Sequence, residues 1–313
     1  MSENQLISFI IPALNAENTI GACLESVQNL DYPKNLLEII VVDNGSKDNT
    51  RAIAGRFTSK ILINDTATIA KLRNAGAKNA TGEFIIFLDS DCVIPADWIK
   101  NALGHFNDNS VGLVGTKICK LPDNANWIDK TWETHLYRGK AQESARWLRS
   151  CAAMVRKDIF IAMGGFDESL TTCEDVEFGY RMQKQHRIIA DKRLAPLHLN
   201  GHESILKFFK KESWRGRGSL RVGLKNLHEP KEALTIAVLF YYFVMLILLL
   251  PAICVAVMTK NLAYPVAIFF GVILPLFLAS FIACIRAKNF GYLGKFFIIY
   301  AVYIIARIVA VFR

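Results

Sequence analysis

Two carboxylates two residues apart, Asp89 and Asp91 in Phe87-Leu88-Asp89-Ser90-Asp91, stand at the end of a short apolar run. Hard oxygen ligands at that spacing suit a divalent cation carrying a nucleoside diphosphate, because Mg²⁺ and Mn²⁺ favour carboxylate and phosphate oxygens. If the backbone turns there, one carboxylate binds the metal and the other reaches ribose or water. An isolated pair of this kind also serves simply to cap a strand or helix. A third carboxylate, Asp43, closes an earlier apolar run in Val41-Val42-Asp43-Asn44-Gly45-Ser46-Lys47-Asp48-Asn49-Thr50. It could accept hydrogen bonds from a base or ribose, or make an Asx turn with Asn44-Gly45 while Asp48 or Thr50 caps a helix.

The elements that must position these groups follow from the hydrophobic pattern. Ser8–Ile11, Glu38–Val42, Lys60–Ile63 and Phe84–Leu88 are continuous apolar runs of strand length, as expected for strands buried on both faces of a parallel sheet. Thr19–Leu30, Asp48–Thr58, Thr68–Ala80 and Ala96–Phe106 carry helical spacing between them. This βαβ succession predicts an open α/β sheet. Ligands of such sheets bind beyond the carboxyl ends of the strands. That edge receives Pro12-Ala13-Leu14-Asn15, Asp43-Asn44-Gly45-Ser46 and Asp89-Ser90-Asp91. From Trp127 to Asp191 the alternation loosens, with helices expected over Trp132–Glu143 and near Asp175–Lys184.

Four segments carry a resemblance in order and spacing: Ile11-Pro12-Ala13-Leu14-Asn15-Ala16-Glu17, Val42–Thr50, Arg73-Asn74-Ala75-Gly76 with Ala80-Thr81-Gly82-Glu83, and Phe87–Asp91. Together with Gly164-Gly165-Phe166-Asp167-Glu168 and Glu174-Asp175 they closely resemble glycosyltransferase family 2, whose fold is GT-A. The resemblance runs from residue 6 to about residue 200. It implies that Pro12, Asn15 and Glu17 line the nucleotide pocket with Asp43 on the base. Arg73 and Asn74 would lie near the nucleotide and its diphosphate, Asp89 near the ribose with Ser90 beside it, and Asp91 on a Mn²⁺ or Mg²⁺ ion.

Family enzymes invert the anomeric centre, so one carboxylate must deprotonate the acceptor hydroxyl. Asp175 matches that base, while Glu174 and Glu177 compete as charges at a helix start. His198 or His202 falls where related enzymes place a histidine near diphosphate or metal. Gly165, Phe166 and Glu174 belong to the acceptor side by the same resemblance. Trp214, Arg215 and Arg217, in Trp214-Arg215-Gly216-Arg217-Gly218, resemble the aromatic-and-arginine segment of membrane-attached relatives. They depart from the Gln-x-x-Arg-Trp form of processive synthases.

The implied activity is metal-dependent transfer from a UDP- or GDP-sugar to a membrane-borne saccharide or glycolipid, with a polyprenyl-phosphate acceptor as the alternative. A non-catalytic membrane scaffold is the alternative of another class. A dinucleotide-binding oxidoreductase is disfavoured, because no GxGxxG follows the first strand.

Over 313 residues the chain is 52% hydrophobic, and the excess lies beyond Ala233. Ala233–Met258 and Leu262–Ile285 are long enough to span a bilayer, and Phe296–Phe312, which contains Arg307, is a weaker third. The net charge of +9 gathers in Lys207, Lys210, Lys211, Arg215, Arg217, Arg221 and Lys225, just before the first span. That placement points to anionic lipid headgroups in preference to nucleic acid. The expected division is a catalytic part to 203, a basic amphipathic segment over 204–230 and a membrane part from 231. Seven cysteines without CxxC spacing argue against a zinc site or disulfide framework. The N-terminus lacks the features of a secretory signal. Arg286, Lys288 and Lys295 between the later spans place the catalytic part in the cytoplasm by the positive-inside rule.

Overall fold

The computed structural model describes residues 5–136, 140–201 and 204–312. His202 lies outside them. Two compact units divide the chain, the first comprising residues 1–125 and 136–201, the second 126–135 and 202–313.

In the first unit the expected alternation is present: β1 (Ile7–Ala13), α1 (Ile20–Gln28), β2 (Leu37–Asp43), α2 (Thr50–Ala54), β3 (Ile61–Ile63), α3 (Ile69–Asn79), β4 (Phe84–Leu88), β5 (Cys92–Val93), α4 (Trp98–Leu103) and β6 (Val111–Thr116). After α5 (Trp127–Leu136), which belongs to the second unit, come β7 (Gln142–Ser144), β8 (Arg149–Arg156), α6 (Lys157–Ala162), α7 (Glu174–Met182), β9 (Arg187–Asp191) and β10 (Leu197–His198). The main sheet runs β3-β2-β1-β4-β8-β6-β9-β7. Its first four strands are parallel neighbours, and β8 is antiparallel to both β4 and β6. Every residue of β1 and β4 is buried, so each face of these strands carries a core. Phe9, Ile86, Trp98 and Phe106 fill one core; Ile10, Phe87, Phe160 and Phe178 fill the other.

Two local expectations are corrected. The helix expected over Trp132–Glu143 begins and ends earlier, because Asn126 Oδ1 accepts from the amides of Ile128 and Asp129 at 2.9 and 3.1 Å and so caps it upstream. Gln142–Ser144 pairs antiparallel with β9 as an edge strand. Residues 126–135 group with the second unit.

The second unit contains α5, α8 (Ile205–Lys225), α9 (Pro230–Thr259), α10 (Ala263–Ala287) and α11 (Leu293–Val311). Trp132 of α5 stacks on His135 and meets Phe208 and Tyr303, and His135 Nδ1 lies 2.6 Å from the Tyr300 hydroxyl. The basic segment is one 21-residue helix, α8, started by Ser204 Oγ, which accepts from Lys207 N. Gly216 permits close approach to α11, since a Cβ there would lie 2.5 Å from the Ala310 Cβ. Three stretches, Pro230–Thr259, Ala263–Ala287 and Phe290–Val311, are long and apolar enough to cross a membrane. Arg307 in the third meets the buried Glu212 at 2.9 Å, so this intramembrane-type charge is paired.

Candidate active site

The loops after β1 and β2 are braced against each other. Ser46 Oγ accepts from Asn15 N at 2.9 Å, Asn15 Oδ1 from Lys47 N at 2.9 Å, and Thr50 Oγ1 from Ala16 N at 2.7 Å. Glu17 Oε2 accepts from both the backbone and the side-chain amide of Asn49, at 3.1 and 3.0 Å. Asn15 holds φ at +48°, a left-handed conformation that asparagine tolerates. Pro12 is buried at the base of this turn. Asn15 and Glu17 therefore use their side chains to shape the loop pair.

Asp43 is fully buried at the end of β2. Its Oδ2 accepts from Gly45 N and Ser46 N at 3.1 and 3.0 Å, an Asx turn. Its Oδ1 is buried with no hydrogen-bond partner among the described residues. A buried acceptor left open is costly, at about 1–3 kcal/mol, unless a ligand donor completes it.

Arg73 and Asn74 both bind partners distant in the chain. Arg73 is only 3% exposed, and its guanidinium spans two acidic segments: Nη2 meets Asp89 Oδ1 at 2.6 Å and Nη1 meets Glu174 Oε1 at 2.5 Å. A buried guanidinium requires such counter-charges, which is why it faces carboxylates. Asn74 clamps the loop after α6. Its Nδ2 donates to Phe166 O and Glu168 Oε1 at 2.9 and 3.0 Å, and its Oδ1 accepts from Phe166 N at 3.0 Å. Gly164 and Gly165 hold φ at +77° and +70°, ending α6 in the left-handed turn expected of paired glycines. A Cβ on Gly165 would lie 2.7 Å from Asn74 Oδ1.

The acidic pair itself sits in a tight turn, with Ser90 part-exposed at its tip. Asp89 N donates to Cys151 O at 3.1 Å, and Cys92 N to Asp89 O at 3.0 Å. Asp91 faces a second small ladder in which β5 pairs antiparallel with β10, placing Cys92 opposite His198. Leu199 N donates to Asp91 O at 2.8 Å, and His198 Nε2 lies 3.6 Å from Asp91 Oδ2. Asn200 Nδ2 reaches the same oxygen at 3.4 Å. Asp91, Cys92 and His198 offer ligand atoms all within 4.8 Å of one another. A carboxylate with an imidazole accepts Mn²⁺ or Mg²⁺, so the donor set fits such an ion. Cys92 and Asn200 were not singled out from the sequence. Adjacency to Asp91 was the available signal for Cys92, whereas Asn200 carried none.

Glu174 and Asp175 open α7 behind a left-handed Cys173. Burial and the adjacent Asp175 carboxylate push Glu174 up to about 7, against the opposing pull of Arg73. Burial likewise raises Asp175, opposed by Arg73 and by hydrogen bonds from the Val176 and Ser150 amides. A carboxylate with a raised pKa is a stronger base than an ordinary aspartate. Glu177 is drawn away into an ion pair with Arg181 at 2.7 Å.

Trp214, Arg215 and Arg217 belong to the second unit, on α8. Trp214 is 46% exposed, Arg217 is exposed, and Arg215 pairs with Glu212 at 2.6 Å.

Comparison with known proteins bears on what this arrangement serves. The model of glycosyl transferase family 2 matches residues 8–165. Glycosyltransferase AglE of Haloferax volcanii is 27% identical over 231 residues, 69% of this chain and 73% of AglE. WfgD of Escherichia coli, a UDP-Glc:alpha-D-GlcNAc-diphosphoundecaprenol beta-1,3-glucosyltransferase, is 41% identical over 105 residues, 32% of this chain and 39% of its own. Among solved structures, the mannosyltransferase PcManGT of Pyrobaculum calidifontis, in complex with GDP-Man and Mn²⁺, superposes with a TM-score of 0.56 at 19% identity, over 72% of this chain and 65% of its own. The chain thus spans well under half of WfgD and just under two thirds of PcManGT, and the latter likeness speaks to the fold, which is GT-A. Because the family match runs from β1 to the Gly164-Gly165 turn, about half of the whole length, the chain belongs to glycosyl transferase family 2 and is a glycosyltransferase.

Proposed function

We propose that the chain transfers a sugar, with inversion, from a nucleotide-sugar donor to a membrane-borne saccharide or glycolipid, and that Mn²⁺ or Mg²⁺ assists. The observation that carries this reading is the Arg73 bridge. By meeting Asp89 at 2.6 Å and Glu174 at 2.5 Å, it joins the acidic loop after β4 to the start of α7, 101 residues apart in sequence from Arg73 to Glu174. Donor-side and acceptor-side carboxylates therefore share one constellation.

Within it, the open Oδ1 of Asp43 takes a donor from the base, and Asp89 lies toward the ribose. Asp91 with His198 holds the divalent ion. When bound, that ion neutralises the charge that accumulates on the departing diphosphate. Asp175 takes the proton from the acceptor hydroxyl, a poor nucleophile until deprotonated. Gly165 and Phe166 shape the acceptor side, held there by Asn74. The resemblance assigns Trp214, Arg215 and Arg217 of the second unit to the acceptor side, and the exposed, cationic Arg217 suits an anionic, lipid-borne acceptor. A glycolipid acceptor is supported by the acceptor in WfgD's name and by three helices able to cross a membrane. The loop charges Arg286, Lys288 and Lys295 favour a catalytic unit on the cytoplasmic side of the inner membrane.

The test is a panel of UDP-, GDP- and dTDP-sugars presented to the full chain in detergent, with Mn²⁺, with Mg²⁺ and with chelator. Asp91→Asn and Asp175→Asn should each lower transfer by about 10²–10⁴-fold while thermal unfolding is little changed. Normal turnover by both variants would sink the mechanism. Retained activity of Asp175→Asn on undecaprenyl phosphate would favour an acceptor that is already ionised.

A further inference from the structure

The ion site has a feature that a Mn²⁺ or Mg²⁺ enzyme does not require, a thiol. Cys92 and His198 are directly opposite in the β5–β10 ladder, so their side chains share a face. Cys92 Sγ lies 3.8 Å from Asp91 Oδ1, and His198 Nε2 lies 3.6 Å from Asp91 Oδ2. All three donors sit within 4.8 Å of one another on backbone that is itself fixed, since Leu199 N holds Asp91 O at 2.8 Å. Thiolate, imidazole and carboxylate together match borderline and soft ions better than hard ones.

We infer that Asp91, Cys92 and His198 form a site for a thiophilic divalent ion, Zn²⁺ or Cd²⁺, overlapping the position of the donor's Mn²⁺ or Mg²⁺. Binding forms a sulfur–metal bond and releases the Cys92 thiol proton to solvent, with no change of oxidation state. A bound thiophilic cation displaces that proton. A hard ion engages only the oxygen and imidazole donors and leaves the thiol protonated. The same three residues thus discriminate between two classes of metal, and a thiophilic ion should exclude the working one.

The inference rests on Asp91 as the metal ligand, and the experiment separates the two. Full-length protein in detergent, in a Cys173→Ser, Cys254→Ser background that removes the more accessible thiols, is titrated with Cd²⁺ alone. The readout is the ultraviolet thiolate-to-metal charge-transfer band. Free Mn²⁺ is followed in parallel by electron paramagnetic resonance in the presence of UDP. We expect a saturable band, displacement of Mn²⁺ by Cd²⁺, and a loss of about 100-fold in Cd²⁺ affinity in both Cys92→Ser and His198→Ala. Thermal unfolding checks that each variant folds, and Cys92→Ala serves should the serine not. Mn²⁺ affinity should change by less than about 3-fold in Cys92→Ser, because a hard ion gains little from sulfur. An unchanged band and Cd²⁺ affinity in Cys92→Ser would overturn the inference, as would a band lost only in Cys119→Ser or Cys151→Ser. Failure of Mn²⁺ to bind the parent protein with UDP would instead overturn Asp91 as the metal ligand.

Discussion

Replacing Glu174 by Gln isolates the cost of packing two acids against one guanidinium. Glu174 is 7% exposed at its side chain, adjoins Asp175, and shares Arg73 with Asp89. Burial and Asp175 move it from the ordinary 4.5 to about 7 in the folded protein. Between those two values the native protein holds a proton that the unfolded chain has released, so stability falls as pH rises through the window. At about 1.4 kcal/mol per pH unit, the displacement amounts to about 3 kcal/mol, fully felt above pH 7 and absent below pH 4.5. Glutamine resembles the protonated acid and can still accept from Arg73, so Glu174→Gln should escape this loss. Thermal unfolding of full-length protein in detergent, run from pH 5 to pH 8, is the assay. The variant should gain on the parent by about 6–12 °C across that range, given the usual conversion for a unit of this size. A difference in melting temperature that stays constant from pH 5 to pH 8 would refute the reasoning. Asp175, raised by burial as well, contributes a slope of the same sign in parent and variant alike.

Three further expectations follow from the same geometry. Arg73→Met removes the counter-charge of a buried glutamate and should cost about 3–5 kcal/mol at pH 8, less at pH 6 where Glu174 takes up a proton, as chemical denaturation would show. Gly165→Ala meets both a φ of +70° and the Asn74 Oδ1 contact. It should destabilise by about 1–3 kcal/mol and speed proteolysis within the Gly164–Glu168 loop, whereas Gly164→Ala, with open space at its Cβ, should suffer only the backbone strain. Chelation should abolish sugar transfer, and Mn²⁺ should restore it in the parent but not in Asp91→Asn; transfer that persists in excess chelator would remove the ion from the reaction.

Much of the first unit was legible in the sequence because strands buried on both faces leave uninterrupted apolar runs. β1, β2 and β4 fall within a residue or two of the runs that announced them. The polar residues closing those runs were legible too, since a parallel sheet sends them to one edge. What escaped depends on partners distant in the chain. Nothing local in Lys71-Leu72-Arg73-Asn74 reveals that the arginine is buried between Asp89 and Glu174, or that the asparagine clamps Phe166, 92 residues on. Gln142–Ser144 is too short for alternation to register, and pairing with β9 alone makes it a strand. The thiol beside Asp91 acquires meaning only once β10 brings His198 opposite it.

The departure of α5 from the first unit has a consequence in time. Its His135 meets Tyr300, 165 residues later in the chain. At about 5–20 residues per second of synthesis, α5 waits roughly 8–33 s for that partner, with the sheet on either side of it free to form meanwhile. During that interval the apolar side of Trp132 has no finished surface to rest on. A shortened chain ending before α8 would make the interval permanent, so the route to a soluble catalytic fragment runs through redesign of Trp132 and its neighbours as much as through removal of the apolar helices.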